Sequence, residues 1–322
     1  MPKLNYYRRI FSAYLLGGKS HLTFWHETPT ENPHSNAKEL GEYYMLFAEK
    51  ADPGAHDAEG IPQLDYHGHI GLQYNPIAIA QYGLGNYNLW CRTSDPERKT
   101  KFFQAAEWLC SHLEPNAQGV AVWNHHFDWE YRETLKAPWY SALAQGQGIS
   151  VLLRAHKESG DTRYLDASRE AMVSFERPIK DGGVAFTDES GDVWFEEYLV
   201  SPPTHILNGF IWALWGAYDY WLFTGGAEVK ELFTRGVRTL VHNLDRYDLG
   251  FWSLYEQSGT RLPMVASPFY HRLHIVQLRV MHCLTGEEKF ATVADRWESY
   301  TRSRANRTRA LVYKSAFKLC YY

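Results

Sequence analysis

The sequence of 322 residues predicts a mainly α fold: an incomplete α/α toroid of about four helical hairpins, with β-hairpins at one rim and a small N-terminal appendage. An amide side chain recurs at Gln81, Gln145, Asn208 and Gln277, and subtraction of these positions gives intervals of 64, 63 and 69 residues. Around each amide, an apolar helix pattern, a polar break and an amphipathic helix pattern follow in the same order. A repeat of this kind indicates one structural unit made four times.

Each unit begins with a helix that is apolar nearly all round, which is typical of a helix packed on several sides. The second helix is amphipathic, and in the first unit Phe102, Ala105, Ala106 and Leu109 lie at helical spacing. The breaks contain Gly or an Asp-Pro dipeptide, which commonly end one helix and start the next. These breaks are TSDPERK, ESGDTR, TGGAE and TGEEK.

A different kind of segment separates each unit from the next. Two of these segments, GGVAFTDESGDVWFEEY and GFWSLYEQSGTRLPMV, have aromatic and β-branched runs around turn residues and predict β-hairpins. The earlier segment, GVAVWNHHFDWEYRE, resembles strands but lacks a clear central turn. All three occupy the same point of the repeat, so we expect them at one end of the toroid. Connections on a rigid scaffold commonly hold the chemistry.

The repeat divides the chain into three parts. Residues 1–70 do not fit the repeat and predict an arm or β-rich appendage, with one helix around Tyr6 to Leu16. Residues 71–302 form the predicted toroid. Residues 303–322 are basic with one short apolar group, ALVY, and we expect a poorly ordered tail.

Composition excludes some classes of function. The net charge of −4 gives no indication of nucleic-acid binding, and no run is apolar for long enough to span a bilayer. The four cysteines are scattered without metal-ligand spacing and indicate buried free thiols in a reducing compartment. No secretory signal is recognisable, which favours a cytoplasmic protein, with a truncated lumenal protein as the alternative. We expect no cofactor and no catalytic metal, because the adjacent His125 and His126 point apart on a strand.

Aromatic residues make up 16% of the chain, including 12 Trp and 22 Tyr. Such rings commonly line clefts that bind sugars, and they also fill cores. A toroid has a trough as its inner wall, and a trough suits a long polymer. The two observations together favour a polysaccharide as the partner.

Five motifs occur in a fixed order and carry a family resemblance. They are WYSALAQGQGISVLLRA, WFEEY, ILNGFIWALWGAYDY, YDLGFWSLY and YHRLHIVQL. As a set they resemble the catalytic domain of the D-glucuronyl C5-epimerases, which convert glucuronate to iduronate in heparosan-type chains. The resemblance implies an incomplete α/α barrel and places Glu197, Tyr198, Tyr255 and Tyr270 at the catalytic positions. The family's Arg after the Tyr255 position is not cleanly matched, since Arg261 is displaced by a turn.

The chemistry explains these residue types. Inversion at C5 removes a hydrogen next to a carboxylate, so it needs a base on one face, an acid on the other and groups that absorb negative charge. We rank Tyr198 and Tyr270 as the opposed pair, Glu197 as the base or its assistant, and Tyr255 as a binding or donating group. Successive strand residues face opposite sides, so Glu197 and Tyr198 share a face only if the hairpin bends there.

Further residues are expected to bind an acidic, heparosan-like polysaccharide through aromatic faces, amides or positive groups. A homodimer is left open. The predicted substrate-binding residues are His126, Trp139, Tyr140, Gln145, Asn208, Arg261 and His274.

Three other classes of function remain as alternatives. A polysaccharide lyase would share the carbanion and cleave the chain by β-elimination, with an acid near O4. A glycoside hydrolase would need two carboxylates across the scissile bond, for which Asp188 and Glu197 are candidates. A carbohydrate-binding protein without activity would not depend on the hydroxyls of Tyr198 and Tyr270.

Overall fold

The computed structural model describes residues 27–321, which form two compact units. The N-terminal unit comprises residues 32–203 and 209–239. The C-terminal unit comprises residues 27–31, 204–208 and 240–321. The predicted helix around Tyr6 to Leu16 lies outside the described residues.

Nine α-helices dominate the described residues. They are α1 (Pro76–Thr93), α2 (Pro96–Ser111), α3 (Ala142–Ser159), α4 (Thr162–Glu176), α5 (Leu207–Thr224), α6 (Ala227–Asn243), α7 (Pro268–Thr285), α8 (Glu288–Arg302) and α9 (Arg304–Tyr321). The pairs α1–α2, α3–α4, α5–α6 and α7–α8 are each joined by two residues. The predicted fold class, a mainly α fold built from four helical hairpins with small sheets, is confirmed.

Three of the four hairpin turns share one chemistry, and the α5–α6 turn has Gly225–Gly226 in its place. The first residue adopts the left-handed conformation and ends the first helix, as at Ser94 (φ 56°), Gly160 (φ 73°) and Gly286 (φ 71°). The second residue starts the next helix: the carboxylates of Asp95 and Asp161 accept hydrogen bonds from backbone N–H groups of α2 and α4. A left-handed C-cap followed at once by an acidic N-cap reverses the chain in the fewest residues.

The recurring amides do not occupy equivalent positions, although the helices that carry them all have 18 residues. Counted from the start of each helix, Gln81 is the sixth residue, Gln145 the fourth, Asn208 the second and Gln277 the tenth. The constant interval therefore reflects the length of the hairpin unit. It does not indicate one repeated amide site.

Within residues 27–321, eight short strands pair antiparallel in consecutive couples. They are β1 (Leu64–Asp65), β2 (Leu72–Gln73), β3 (Leu113–Pro115), β4 (Ala121–Trp123), β5 (Trp129–Glu130), β6 (Thr134–Leu135), β7 (Ala185–Thr187) and β8 (Val193–Phe195). The hairpin predicted around ESGD is confirmed as β7–β8, with Ala185 opposite Phe195. The hairpin predicted around QSGT is reduced to one bridge, Leu254 with Val265.

Both ends of the described chain differ from the expected picture. Between residues 27 and 70 the regular elements are the 3₁₀ turn Glu49–Ala51 and the two-residue β1, so this part is mostly loop. The segment expected to be a poorly ordered tail forms α9. Ala310, Lys314 and Phe317 recur at helical spacing and are buried along one face, which orders the helix.

The cysteines are free, as predicted, but the prediction that they are buried was wrong. Cys91, Cys283 and Cys320 are exposed and Cys110 is half-buried. From residue 27 to residue 321, no helix combines the length and the apolar character needed to cross a membrane.

A buried ion pair lies at the centre of the N-terminal unit. Arg154 of α3 and Asp219 of α5 are both fully buried, and Nη1 and Oδ2 are 2.6 Å apart. The Tyr44 hydroxyl donates to Asp219 Oδ1 at 2.6 Å, and Arg154 Nε donates to the Gly41 carbonyl at 2.8 Å. Burial acts against the charge of Arg154, but Asp219 outweighs it and the pKa of the guanidinium is raised. The pair fixes α3, α5 and the loop at Gly41–Tyr44 together.

The same two helices approach closely at glycines. A Cβ atom at Gly146 of α3 would lie 2.7 Å from the Trp212 carbonyl oxygen of α5, and one at Gly216 of α5 would overlap the backbone of Gly146. Real Cβ atoms do not approach backbone so closely. The two glycines therefore set the distance between α3 and α5.

We predict that Gly216→Ala lowers the free energy of unfolding by about 2–3 kcal/mol, because the added methyl group forces α3 and α5 apart. Gly226→Ala is the matched control, since its Cβ would meet only Thr224 Oγ1 at 3.5 Å and its φ is not positive. Urea denaturation followed by circular dichroism measures both. Equal stability of the two variants would contradict the assigned close approach.

Candidate active site

Glu197 and Tyr198 lie at a bend directly after β8. The strand ends at Phe195, and the backbone bends at 197 and 198, where the Val200 N–H donates to the Tyr198 carbonyl at 3.0 Å. The alternation of strand side chains therefore stops before this pair. The sequence predicted that the side chains of Glu197 and Tyr198 share a face only if the chain bends here, and the bend is present.

The strand that leads to this bend is firmly held. Phe195 is buried with its ring 5.0 Å from Phe175 and 5.9 Å from Phe210. The next residue, Glu196, accepts a hydrogen bond from Ala142 N at 3.0 Å through its carbonyl, which ties the strand end to the start of α3. The side chain of Glu196 is buried rather than solvent-facing.

Gly209 makes room for the side chain of Glu197. Glu197 is 6% exposed, and a Cβ atom on Gly209 of α5 would lie 2.7 Å from Glu197 Cβ and would overlap its carboxylate. Only a glycine leaves space for the carboxylate against this helix. The packing of Glu197 against α5 therefore requires glycine at position 209.

The ring of Tyr198 belongs to a set of half-buried aromatic residues, here called the aromatic platform. Tyr198 lies 4.5 Å from Tyr131 and 5.7 Å from Trp139 between ring centroids. Phe127, which is buried, connects Trp139 to the far end of the set. The half-buried members of the platform are Tyr66, Trp129, Tyr131, Trp139 and Tyr198.

A buried histidine supports this platform from below. The His125 ring stacks on Trp139 at 3.8 Å, and the two residues exchange backbone hydrogen bonds. His125 Nδ1 lies 3.2 Å from the Trp139 carbonyl oxygen, which can only accept, so Nδ1 carries the proton. Burial lowers the pKa of His125 to about 3, so the ring is neutral near neutral pH. His125 thus fixes Trp139 without adding charge.

Tyr255 and Tyr270 lie together in the C-terminal unit. Their ring centroids are 4.8 Å apart and the ring planes are inclined at 62°, an edge-to-face contact. Tyr255 is 7% exposed and follows the bridge at Leu254, whereas Tyr270 is half-buried in the first turn of α7. Ser267 caps that helix, accepting from Tyr270 N at 3.3 Å.

Hydrogen bonds of His271 with Ser253 and Trp297, here called the histidine clamp, link the segments that carry these two tyrosines. Ser253 N donates to His271 Nδ1 at 3.2 Å, so Nδ1 carries no proton, and Nε2 donates to the Trp297 carbonyl at 3.0 Å. Burial lowers the pKa of His271 to about 3, which agrees with this neutral form. Ser253 is two residues from Tyr255 and His271 is next to Tyr270. The clamp therefore fixes the loop of one tyrosine to the helix of the other.

Among the predicted binding residues of the N-terminal unit, Trp139 lies beside Tyr198. His126 is exposed, with Nε2 3.5 Å from Glu114 Oε2, and Tyr140 is half-buried, which raises the pKa of its hydroxyl. Gln145 is fully buried: its oxygen accepts from Trp123 N, and its nitrogen donates to two backbone carbonyls and to a serine hydroxyl. The amide of Gln145 joins β4 to α3 and α4 through these hydrogen bonds and is enclosed by them.

The predicted binding residues of the C-terminal unit differ in accessibility. Asn208 is buried, and its carbonyl accepts from Gln277 Nε2 at 2.9 Å. Arg261 is exposed in the loop between Leu254 and Val265, the two residues of the isolated bridge. His274 is fully buried with Nδ1 3.0 Å from Ser253 Oγ, and burial lowers its pKa well below the usual value. His274 is therefore neutral near neutral pH and does not carry the positive charge that was expected of it.

Four residues of this region were missed by the sequence reasoning: Tyr131, Gly209, Ser253 and His271. Tyr131 lies in a segment already singled out, but the contact with Tyr198 depends on the fold. The same is true of Gly209 and of the clamp. The YH pair at Tyr270–His271 was the one local signal. Within residues 27–321, no group of three or more His, Cys, Asp or Glu side chains is arranged to hold a metal ion.

Comparison with known proteins identifies relatives of this chain. The D-glucuronyl C5-epimerase of Caenorhabditis elegans is 33% identical over 214 residues, which are 62% of this chain and 34% of the worm protein. An uncharacterised protein of Methanocaldococcus jannaschii is 30% identical over 245 residues, 71% of this chain and 78% of that protein. The match therefore spans about a third of the length of the C. elegans relative.

Among solved structures, the unsaturated glucuronyl hydrolase of Bacillus sp. GL1 matches with a TM-score of 0.48 and 14% identity, covering 70% of this chain and 61% of the other. That likeness is too low to bear on activity. The family model described as D-glucuronyl C5-epimerase C-terminus matches residues 117–299, which include the bend at Glu197–Tyr198, the clamp and the Tyr255–Tyr270 pair. Because this match covers more than half of the chain, the protein belongs to the D-glucuronyl C5-epimerase family, through the C-terminal domain of that family.

Proposed function

We propose that this protein is an epimerase that inverts C5 of D-glucuronate to L-iduronate within a heparosan-like polysaccharide. One observation carries the proposal: Glu197 and Tyr198 sit together at a held bend, beside an aromatic platform, inside the region that matches the epimerase family. The bend supplies a carboxylate and a phenol, and the platform supplies sugar-binding surface.

The reaction requires proton transfer at a very weak carbon acid. Loss of the C5 hydrogen places a second negative charge on the substrate carboxylate, so the intermediate needs hydrogen-bond donors as well as a base. An ordinary tyrosine has a pKa of about 10 and is therefore a suitable proton donor near neutral pH. Tyrosine acts as a base only where nearby charge or hydrogen bonds favour the phenolate.

We assign the two proton transfers at C5 to Tyr198 and Tyr270. Glu197 is the base or assists Tyr198, and Tyr255 orients Tyr270 or donates to the substrate. Both tyrosines of the proposed pair are half-buried, so their hydroxyls combine access with a fixed ring position. The substrate carboxylate also needs positively charged groups to bind it. The candidates are the exposed residues Arg261 and His126.

The aromatic platform suits a chain of sugars. Half-buried rings offer apolar faces on which the C–H face of a pyranose packs, and they need no rearrangement on binding. Trp139 is held by His125 stacking and by donation from its Nε1 to the Phe127 carbonyl at 2.8 Å. We therefore assign substrate binding in the N-terminal unit to Trp139, Tyr131 and Tyr66 rather than to Gln145.

The function is tested by incubating heparosan, native and N-sulfated, with the protein in D₂O and recording NMR spectra. Deuterium at C5 together with iduronate signals and unchanged chain length is the expected result. Unsaturated chain ends would identify a lyase, and saturated fragments would identify a hydrolase. Absence of exchange in heparosan, chondroitin and other uronate polymers would overturn the proposed activity.

We predict that Tyr198→Phe and Tyr270→Phe each abolish inversion, because one face of C5 loses its proton donor or acceptor. Each variant should still exchange the C5 hydrogen in one of the two epimers, glucuronate or iduronate, and the two variants should differ in which. The measurement is C5 deuterium uptake in each epimer separately. Both variants should keep the fold and the affinity for the polymer.

Tyr164→Phe and Tyr300→Phe are matched controls for the loss of a hydroxyl in each unit. The Tyr164 hydroxyl donates to Glu107 and that of Tyr300 to Asp248, which serve neither the platform nor the clamp. Both controls should retain full inversion. Retained inversion in both Tyr198→Phe and Tyr270→Phe would remove the proposed pair from the mechanism.

We predict that Gly209→Ala lowers kcat on the order of 10²-fold, because the added methyl group displaces the Glu197 carboxylate by about 1 Å. KM should change little, since Gly209 does not reach the platform. In a Glu197→Gln background the same substitution should have little additional effect on kcat, because the group it displaces is already gone. Additive effects of the two substitutions would show that Gly209 acts by another route.

A further inference from the structure

The C-terminal helix α9 lies outside the region that matches the family, yet it packs on the segment that carries Tyr255. Tyr313 of α9 lies 5.3 Å from Phe251, and the Arg309 guanidinium lies 4.1 Å from the centroid of the same ring. At the end of the helix, the Tyr321 hydroxyl accepts from Leu262 N at 3.5 Å. The helix thus contacts the segment around Tyr255 on both sides of that residue, at Phe251 and at Leu262.

Lys314 lies between these two contacts and is buried. Its ammonium donates to the Val265 carbonyl at 3.0 Å, and its neighbours on the same face, Ala310 and Phe317, are buried too. A lysine is almost never buried without a partner, because removing its charge from water is costly. The position therefore indicates a specific task for the amine.

The residue that accepts the hydrogen bond from Lys314 is next in the chain to the residue that accepts from Tyr255 N. Val265 forms the bridge with Leu254, and Tyr255 N donates to the Met264 carbonyl at 2.8 Å. The segment 264–266 is thus the backbone support of Tyr255, and Lys314 bonds to the same segment through the Val265 carbonyl. The clamp at Ser253 and His271 fixes the same segment to α7, so Lys314 is its second anchor.

We propose that Lys314 is a positioning residue for Tyr255: its ammonium anchors the segment 264–266 to α9 and thereby keeps the Tyr255 ring against Tyr270. This inference deepens the proposed function and rests on it for its catalytic consequence. The positioning itself is a property of the C-terminal unit and can be measured without substrate.

The charge of Lys314 makes the anchor sensitive to pH. Burial is the main cause that lowers its pKa to about 7; Lys318, one turn further along α9, lowers it as well, and Glu256 on the packed segment raises it. The ammonium is therefore present below pH 7 and is lost as the pH rises through about 7. A charged donor bonds a carbonyl more strongly than a neutral amine, so the anchor weakens on the alkaline side.

The first test compares Lys314→Met, which keeps the length of the stem but removes the donor, with the wild type. Hydrogen–deuterium exchange measured by mass spectrometry reports on the backbone of residues 251–266. We expect exchange there to be about tenfold faster in Lys314→Met, as loss of a hydrogen bond from a charged group implies. Arg304→Met, an exposed position on the same helix, is the control for lost charge and should exchange like the wild type.

The second test uses Lys314→Arg, which stays protonated at all accessible pH values. The ratio of kcat for Lys314→Arg to kcat for the wild type should rise between pH 6 and pH 9, by about tenfold for the same reason. This ratio removes the pH dependence of the chemistry itself. Lys314→Met should show low kcat with nearly unchanged KM across the same range.

The outcomes separate the two proposals. Unchanged exchange at 251–266 in Lys314→Met would overturn the positioning role, whether or not the enzyme is active. Faster exchange in a protein that shows no C5 deuteration in any uronate polymer would retain the anchor and overturn the proposed activity. An active wild type whose pH profile coincides with that of Lys314→Arg would overturn the pH-sensitive anchor.

Discussion

The N-terminal unit depends on the buried pair Arg154–Asp219. Its two helices, α3 and α5, are apolar nearly all round, so apolar packing alone would leave their rotation and register poorly defined. The pair, with Tyr44 on one carboxylate oxygen and Gly41 on the guanidinium, removes that freedom. Breaking such a pair costs about 3–5 kcal/mol, because one charge stays buried without its partner. The value of the pair is therefore in specifying one arrangement rather than in adding net stability.

The candidate site inherits its precision from this arrangement. The close approach of α3 and α5 at Gly146 and Gly216 fixes where Gly209 lies on α5, and Gly209 is the surface against which Glu197 rests. The start of α3 also receives the end of β8 through the hydrogen bond from Ala142 to Glu196. A carboxylate on a loop is thus positioned by two helices whose own spacing is set by glycines and one ion pair.

Local chemistry explains which parts of the fold were predictable from sequence. The hairpin turns at Gly160–Asp161 and Gly286–Glu287 are specified by two adjacent residues, so they were found at once. The helix α9 was missed because its buried face consists of Ala310, Lys314 and Phe317. A lysine at such a position predicts an exposed helix face, and only the folded structure shows that the Lys314 ammonium bonds to the Val265 carbonyl. The sequence predicted a regular β-hairpin around QSGT, but the segment has one bridge only. Its support comes from distant residues, α9 and the His271 clamp, rather than from a ladder of hydrogen bonds between two strands.

The site residues divide in a similar way. Tyr198 and Tyr270 were proposed from motifs, since motifs preserve residue types in order along the chain. Gln145 and His274 were expected to bind substrate because an amide or an imidazole in a motif has the right chemistry. In the folded chain both side chains are fully buried, the first bonded to Trp123 and Ser174 and the second enclosed beside Ser253. The accessibility of a side chain is a property of the tertiary structure, and the sequence pattern does not contain it.

The electrostatics of the supporting residues follow one rule. His125, His271 and His274 are all buried and neutral, with pKa values that burial holds far below neutral pH. Each supports an aromatic ring or a loop through directional hydrogen bonds, and none changes charge in the range in which an epimerase would work. A rigid frame that does not titrate is what a reaction through a dianionic intermediate needs, because any charge lost from the frame would alter the stabilisation of that intermediate. Lys314 departs from this rule, since its pKa of about 7 lies within the working range and its bond supports the segment of Tyr255. If pH regulates this site through its support rather than through its reacting groups, the C-terminal helix is where that regulation enters.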